Sequence, residues 1–505
     1  MQKTISLKNI RHAFGERLVL ESVSFKCAEN EKICIVGDNG SGKSTLLKII
    51  AGSVVPDSGT LEKNAHIRTH YVPQEFDGGD LSLSIEGFIA KYAGNALNKK
   101  VWALGKALGF NFEKLKEKEC RSLSGGQQKI LALATAIAAK PDFLLLDEPE
   151  NHLDIVSRLE LIALLQEYRS GILFISHDRL VIDSLAEKVA EIAQGRLHIS
   201  AGGYEGYVEH RLNRIAGLRR EHDTETKRIK QLREAVVIMG QKAFRGKETA
   251  TYHKFKAELE SLNEKHRENN RPEDRRTRIS IHQNSEGLHK GKLLCRITDA
   301  AFTYDGGAKA TFQKANLELR TGSHIVLLGR NGSGKSTFLK CLMGKFNLTK
   351  GTVVWADGLR IAYFDQHTEF AGAETPLQIV MKQLSFGDEA ARAALGAMKL
   401  DADAMNTTIE SLSGGQRMRL RFALVFGAKP DFLILDEPTN HLDEVTWEIL
   451  LNACNASKST ILLVTHDQEF INELISKTFW VLYKSHINER HKELSELIDE
   501  LRADS

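Results

Sequence analysis

Two lysines, Lys43 and Lys335, lie in segments of the same form, GDNGSGKS at 37–44 and GRNGSGKS at 329–336. A glycine-rich loop ending in Lys-Ser is suited to holding phosphate. Its small residues let backbone N–H groups wrap the phosphate oxygens, and a following helix adds the positive potential of its N-terminus. The expected contacts are Gly37, Asn39, Gly40, Gly42, Lys43, Ser44 and Thr45 in one loop, and Gly329, Asn331, Gly332, Gly334, Lys335, Ser336 and Thr337 in the other. The lysines would reach the β- and γ-phosphates, with the Ser44 and Ser336 hydroxyls on magnesium. Such a loop reads phosphates and leaves the base, adenine or guanine, unspecified.

Two carboxylate pairs have the chemistry to complete these sites. Asp147 and Asp436 each end an apolar run, FLLLD and FLILD, and could hold the metal directly or through water. Glu148 and Glu437 follow at once and could polarise an attacking water as general base. Taken alone, a DE pair after a strand also fits ordinary loop acidity. The partners at constant spacing favour the catalytic reading.

The elements that must position these residues occur twice. IVGDNGSGKSTLLKIIAG (35–52) recurs as LLGRNGSGKSTFLKCLMG (327–344), RSLSGGQQ (121–128) as ESLSGGQR (410–417), and KPDFLLLDEPENHLD (140–154) as KPDFLILDEPTNHLD (429–443). Lys43 and Lys335 are 292 residues apart, while His177 and His466 are 289 apart. Two copies of one domain are therefore expected. Within each, the runs ICIVG, FLLLD and ILFIS, and their counterparts IVLLG, FLILD and ILLVT, read as strands buried on both faces of a mainly parallel sheet.

The fold class is α/β, with tandem phosphate-loop domains joined by a basic helical hairpin. The expected division is 1–205, 206–290, 291–483 and a short C-terminal helix in 484–505, where Leu494, Leu497, Ile498 and Leu501 share one face. A chain of 505 residues exceeds what one core sustains, and an apolar content of 42% is ample for packing. The six cysteines form no CxxC pair, which argues against zinc, an iron–sulfur cluster or a redox centre and fits reduced, buried thiols. The first residues lack the apolar run of a secretory leader, and no run of about 18 apolar residues occurs, so a cytoplasmic protein with no membrane span is expected.

The order of phosphate loop, LSGGQ (Leu123–Gln127 and Leu412–Gln416), apolar strand with DE, and a histidine after the next strand resembles the ATP-binding cassette (ABC) superfamily across nearly both copies. That resemblance implies ATP and Mg2+ as ligands. It implies that Gln74 and Gln366 touch the metal and the attacking water, and that His177 and His466 contact the γ-phosphate. Phe14 and Tyr304 would stack on adenine. Asp154 and Asp443 would belong to the loops linking the two sites. It also implies a head-to-tail pairing within one monomeric chain, in which Ser124, Gly126 and Gln127 serve the second ATP, and Ser413, Gly415 and Gln416 the first. One departure is Glu150, in EPENHLD, where the second copy has the more usual Thr439. The catalytic set is intact, so both sites read as competent, with room for asymmetry.

The segment between the copies carries the charge. From Arg211 to Arg278 there are 19 Lys and Arg against 11 Asp and Glu, although the whole chain is only +3. Ile229, Leu232, Val236 and Met239, then Phe255, Leu259 and Leu262, recur at helical spacing. GQKAFRG (240–246) lies between them and reads as the break of a hairpin. Basic flanks on a narrow apolar seam suit a phosphate backbone. A solvated spacer would share these features.

Duplicated cassettes with NHLD loops, no membrane segment, the AGGYEGYVEHR entry (201–211) and this linker resemble the ABC-F family. The resemblance implies a translation factor or antibiotic-protection protein that binds the ribosome in its ATP-closed state. The linker would enter the tRNA exit site, with Gln241, Lys242, Phe244, Arg245 and Lys247 near ribosomal RNA and the P-site tRNA. Gln74 to Leu123 spans 49 residues and Gln366 to Leu412 spans 46, which leaves no room for the arm of housekeeping members. The alternative is a soluble ATPase subunit powering a separate membrane transporter.

Overall fold

The computed structural model describes residues 3–15, 17–38, 40–64, 66–244, 253–254, 256–261, 291–304, 310–364, 370, 372–440 and 442–502. Asn39, Arg245, Lys247, Phe255, Leu262 and Gln366 lie outside the described residues. The chain forms two compact units, residues 1–199 with 279–505, and residues 200–278.

The first cassette opens with β1 (Thr4–Phe14), β2 (Arg17–Ala28), β3 (Lys32–Val36), α1 (Lys43–Ala51), β4 (Ser58–Lys63) and β5 (Thr69–Val72). After short helices come α2 (Gly125–Ala139), β6 (Phe143–Asp147), α3 (Ile155–Gln166), β7 (Gly171–Ile175), α4 (Arg179–Leu185), β8 (Lys188–Ala193) and β9 (Arg196–Ala201). Strand order is β5-β6-β7-β3-β8-β9 in one sheet and β2-β1-β4 in a smaller antiparallel one. β5, β6, β7, β3 and β8 run parallel. All five residues of FLLLD and of GILFI are buried, as strands covered by helices on both faces must be. This sheet brings the ends of β3, β6 and β7, and hence Gly37, Asp147 and Ser176, to a common edge.

In the second unit, α5 (Tyr204–Phe244) is a single helix of 41 residues, about 60 Å long at the usual helical rise. Ile229 and Leu232 are buried along the expected seam. Arg228 bonds Glu258, thirty residues on, at 2.7 Å, so the helical residues 253–254 and 256–261 return alongside it. The helix runs through Gly240, where a break was expected. A lone helical glycine costs only about 1 kcal/mol, which a helix of this length absorbs; residues 245 and 246 of the expected break lie outside the described residues.

The second cassette repeats the plan. It comprises β10 (Leu293–Phe302), β11 (Phe312–Arg320), β12 (His324–Leu328), α6 (Lys335–Leu342), β13 (Lys350–Trp355), β14 (Ile361–Phe364), α7 (Gly414–Gly427) and β15 (Phe432–Asp436). There follow α8 (Glu444–Ala456), β16 (Thr460–Val464), α9 (Gln468–Glu473), β17 (Lys477–Tyr483), β18 (His486–Arg490) and α10 (Leu494–Arg502). Its strands join in one nine-stranded sheet. Residues 486–490 pair with β17 and belong to this sheet, so the terminal helix is confined to Leu494–Arg502.

The four expected apolar residues of α10 are buried, each contributing roughly 2 kcal/mol. They share one core cluster with Ile155 and Val156 of the first cassette, and Arg502 bonds Glu160 of α3 at 2.6 Å. All six cysteines are buried and free, and burial raises every thiol pKa. Among the described residues no helix is long and apolar enough to cross a membrane.

Candidate active site

Each phosphate loop bends onto its helix through a glycine in the left-handed region, Gly42 at φ 101° and Gly334 at φ 107°. A Cβ on Gly42 would stand 2.6 Å from Cγ1 of Val19, and one on Gly334 would collide with Thr311, so no side chain fits either place. The turn leaves the first N–H groups of α1 and α6 directed into the loop concavity. Lys43 Nζ donates to the Gly37 and Asp38 carbonyls at 2.7 and 3.1 Å, and Lys335 Nζ to those of Gly329 and Arg330 at 2.8 and 3.2 Å. Both ammonium groups are buried, which lowers their pKa. The Ser41 and Ser333 hydroxyls are buried beside them without a hydrogen-bond partner, an arrangement a bound phosphate would satisfy.

Strands β6 and β15 deliver the acids. Asp147 is bonded by the Ser44 hydroxyl and by Tyr71 Oη at 2.9 Å, and Asp436 receives Tyr363 Oη at 3.2 Å. The hydroxyl, carboxylate and Gln74 amide are oxygen donors of the kind a hard divalent cation takes. Glu148 and Glu437 leave their strands with φ of 47° and 49°, a conformation rare for a non-glycine residue and found at functional turns. Gln74 Nε2 donates to Glu148 at 2.9 Å, and Asn151 also bonds that carboxylate. In the second site His466 Nε2 lies 3.2 Å from Glu437 Oε1. Burial pushes the Glu437 carboxyl up to about 7, and burial followed by the Lys43 charge pushes His177 down to about 4. His177 Nε2 is buried without a partner, as a neutral imidazole facing a phosphate would be before the ligand arrives.

The two cassettes meet at the second site. The Asn331 backbone N–H of the second loop donates to Asp154 Oδ2 at 2.7 Å, and its side-chain amide donates to the His152 carbonyl at 2.6 Å. A Cβ on Gly126 would stand 2.5 Å from that carbonyl and 3.2 Å from Asn331 Nδ2, so the LSGGQ segment of the first copy packs beside the loop of the second. Ser124 and Ser413 are exposed N-caps of α2 and α7, each in a reciprocal bond with the glutamine three residues on. Asp443 lies near enough to influence Lys43, and Asp154 to influence Lys335. Phe14 and Tyr304 are 58% and 52% exposed, free to present a ring face, although Tyr304 Oη also bonds Thr337 at 2.8 Å.

The model of the ABC transporter family matches residues 20–151 and 312–440. The ATP-binding protein Uup of Buchnera aphidicola (Schizaphis graminum) is 30% identical over 494 residues, covering 94% of this chain and 80% of that protein. The ATP-binding cassette sub-family F member 3 of Rattus norvegicus is 29% identical over 96% of this chain and 72% of its own. The chain belongs to the ABC-F family. Among solved structures, the archaeal ribosome recycling factor aABCE1, in complex with ribosomal stalk protein aP1, has TM-score 0.63, 21% identity and coverage of 98% and 92%. The RNase-L Inhibitor has TM-score 0.65, 21% identity and coverage of 98% and 93%. These likenesses show a shared tandem-cassette fold. As an ABC-F protein with two complete cassettes, the chain is an ATPase.

Sequence reasoning missed Tyr71 and Tyr363, which bond Asp147 and Asp436; their recurrence 292 residues apart in YVPQ and YFDQ was the available signal. It also missed Lys129, buried in α2 and donating to the Asp147 and Pro73 carbonyls at 2.7 and 2.9 Å. Glu150 proves to be buried, accepting from Ser176 Oγ at 2.5 Å.

Burial, then Asp178, pushes the Glu150 carboxyl up to about 7. The fold therefore favours its protonated form, and the stability that form confers falls from about pH 4.5 upward and is gone once pH passes about 7. Glu150→Gln should gain in stability relative to the parent as pH rises from about 4.5 to about 7, by on the order of 3 kcal/mol, and hold that gain above, read as a widening difference in Tm. A pH-independent difference would contradict this account.

Proposed function

We propose that this ABC-F ATPase is a cytoplasmic ribosome-bound switch, closed by two ATP molecules and opened by their hydrolysis. Lys43 and Lys335 would hold the phosphates, with Phe14 and Tyr304 against the bases. Magnesium, held by Ser44, Gln74 and Asp147 at one site and Ser336, Gln366 and Asp436 at the other, would neutralise the transferring phosphate. Glu148 and Glu437 would take a proton from the attacking water, while His177 and His466, kept neutral by burial, would donate to the γ-phosphate. Ser124 and Ser413, at helix N-termini, would bind that phosphate from the opposite cassette. Losing the bridging charge would let the pair reopen.

The observation that carries the ribosomal reading is the inserted unit itself, residues 200–278 with the 41-residue α5. It holds the surplus positive charge and, at the far end of α5, the exposed apolar pair Val237 and Ile238. Basic flanks with exposed apolar residues suit a folded RNA surface, where phosphates and unstacked bases are both available. Tandem-cassette proteins of the same fold are solved with a ribosomal stalk protein and as ribosome-bound Pelota and ABCE1. The tRNA exit site and P-site tRNA, approached by Gln241, Lys242, Phe244, Arg245 and Lys247, are the proposed contacts. Stall relief or antibiotic protection is the proposed outcome.

The test is co-sedimentation of the Glu148→Gln, Glu437→Gln protein with 70S ribosomes. Pelleting that needs ATP and is lost on deleting residues 236–250 is expected. A nucleotide-loaded protein left in the supernatant would overturn the reading and direct attention to a membrane partner.

A further inference from the structure

The catalytic residues of the two cassettes match one for one, yet the side chains behind them do not. Asp178 and Asp467 follow His177 and His466, the histidines placed to sense the γ-phosphate and so to act as switches, and each caps the next helix. Asp178 Oδ1 accepts from Leu180 N at 2.8 Å, and Asp467 Oδ1 from Phe470 N at 2.9 Å. The second oxygen of each accepts from the residue four positions after the loop aspartate of its own cassette. That donor is Arg158 Nη1 in the first cassette and Trp447 Nε1, at 2.6 Å, in the second. Beside them, Glu150 and Ser176 stand where the second cassette has Thr439 and Thr465, bonded to each other at 2.6 Å. Lys129 stands where it has Met418.

Each donor thus ties a switch-histidine turn to the helix whose capping aspartate reaches the other ATP site. For Arg158 that helix is α3, capped by Asp154, which holds Asn331 of the second phosphate loop. Nearby, α4 and α9 face each other across the cassette boundary, where Arg179 bonds Glu469 at 2.6 Å. Arg158 is 7% exposed, and its charge is felt by Asp467 and Glu437 of the second cassette. Both bonds end on a carboxylate, but only that of Arg158 adds the attraction of a charged donor to the hydrogen bond, and burial amplifies the difference. A guanidinium remains charged throughout, whereas the indole of Trp447 carries no charge.

We propose that Arg158 is a positioning residue that makes the two ATP sites unequal, by tying the switch-histidine turn of the first site through a charged donor to the loop that completes the second, where the reciprocal tie runs through the uncharged indole of Trp447. The inference concerns hydrolysis alone and stands whatever the closed protein engages.

Site-resolved turnover of the full chain tests it. Glu148→Gln leaves only the second site active, and Glu437→Gln only the first. The two kcat values are expected to differ by about fivefold or more. Transplanting the neutral set into the first cassette, Glu150→Thr with Arg158→Trp and Ser176→Thr, should bring them within about twofold, with KM for ATP little changed. The reciprocal transplant, Thr439→Glu with Trp447→Arg and Thr465→Ser, should do the same, and it keeps the test decisive if the first variant misfolds. Arg158→Lys should retain most of the inequality. Equal parental rates, an inequality that survives both transplants, or parallel losses at both sites tracking Tm would each overturn the proposal.

Discussion

Changing Glu148 and Glu437 together to Gln should lower ATP turnover by about 10²–10⁴-fold while leaving ATP binding intact. Each glutamate leaves its strand in a left-handed turn, with its backbone N–H bonded to the neighbouring strand at 3.1 or 2.8 Å. The side chain is thereby aimed away from the sheet, into the space between phosphate loop and switch histidine. Glutamine retains the size and the contacts with Gln74, Asn151 and His466 but cannot accept the proton of water. The lysines, serines and aspartates proposed to hold nucleotide are unaltered. Phosphate release under saturating ATP, beside equilibrium binding of a fluorescent analogue, separates the two effects. Turnover within tenfold of the parent would remove these glutamates from the chemistry.

The second large effect concerns the cassette boundary. Gly126→Val with Gly415→Val should lower turnover by about 10²-fold or more, because displacing a reacting group by about 1 Å already costs that much. The new Cβ of position 126 would meet the backbone carbonyl of His152 at 2.5 Å, and that of position 415 would meet Asp443 Oδ2 at 2.6 Å. A backbone carbonyl cannot rotate aside, so the loop carrying His152 and Asp154 must retreat from Asn331. Each phosphate loop would still bind ATP, so binding should persist where hydrolysis fails. Retained hydrolysis at near-parental rate would show that these contacts are dispensable to the reaction.

The parts legible in the sequence are those where chemistry restricts residue choice. Phosphate wrapping demands glycine at 42 and 334, and the acids must follow an apolar strand; hence Lys43, Lys335, Asp147 and Glu437 stood out before any fold was known. Second-layer partners are less constrained. Tyr71 and Tyr363 lie on ordinary strand positions, and a hydroxyl that bonds an aspartate has the same letter as one that packs. Arg158 lies on a helix whose pattern gives no hint that one charged residue is turned inward; only the completed fold brings Asp178 to it. The hairpin break was read from the glycines of GQKAFRG at 240–246; the helix continues through Gly240 to Phe244, a modest local preference of one residue being overridden, and residues 245–246 lie outside the described residues. The strand at 486–490 was absorbed into an expected helix because HINER is too short to show a period.

The sealed cysteines make this protein chemically quiet toward thiol reagents. A thiolate is the reactive species, and with all six thiols buried and their pKa raised almost none is present near neutral pH. A maleimide dye should therefore leave the folded chain unmodified and find only a cysteine placed on its surface. Fluorophores at one exposed position in each cassette would then follow the proposed opening and closing in single molecules without stripping the native thiols from the core.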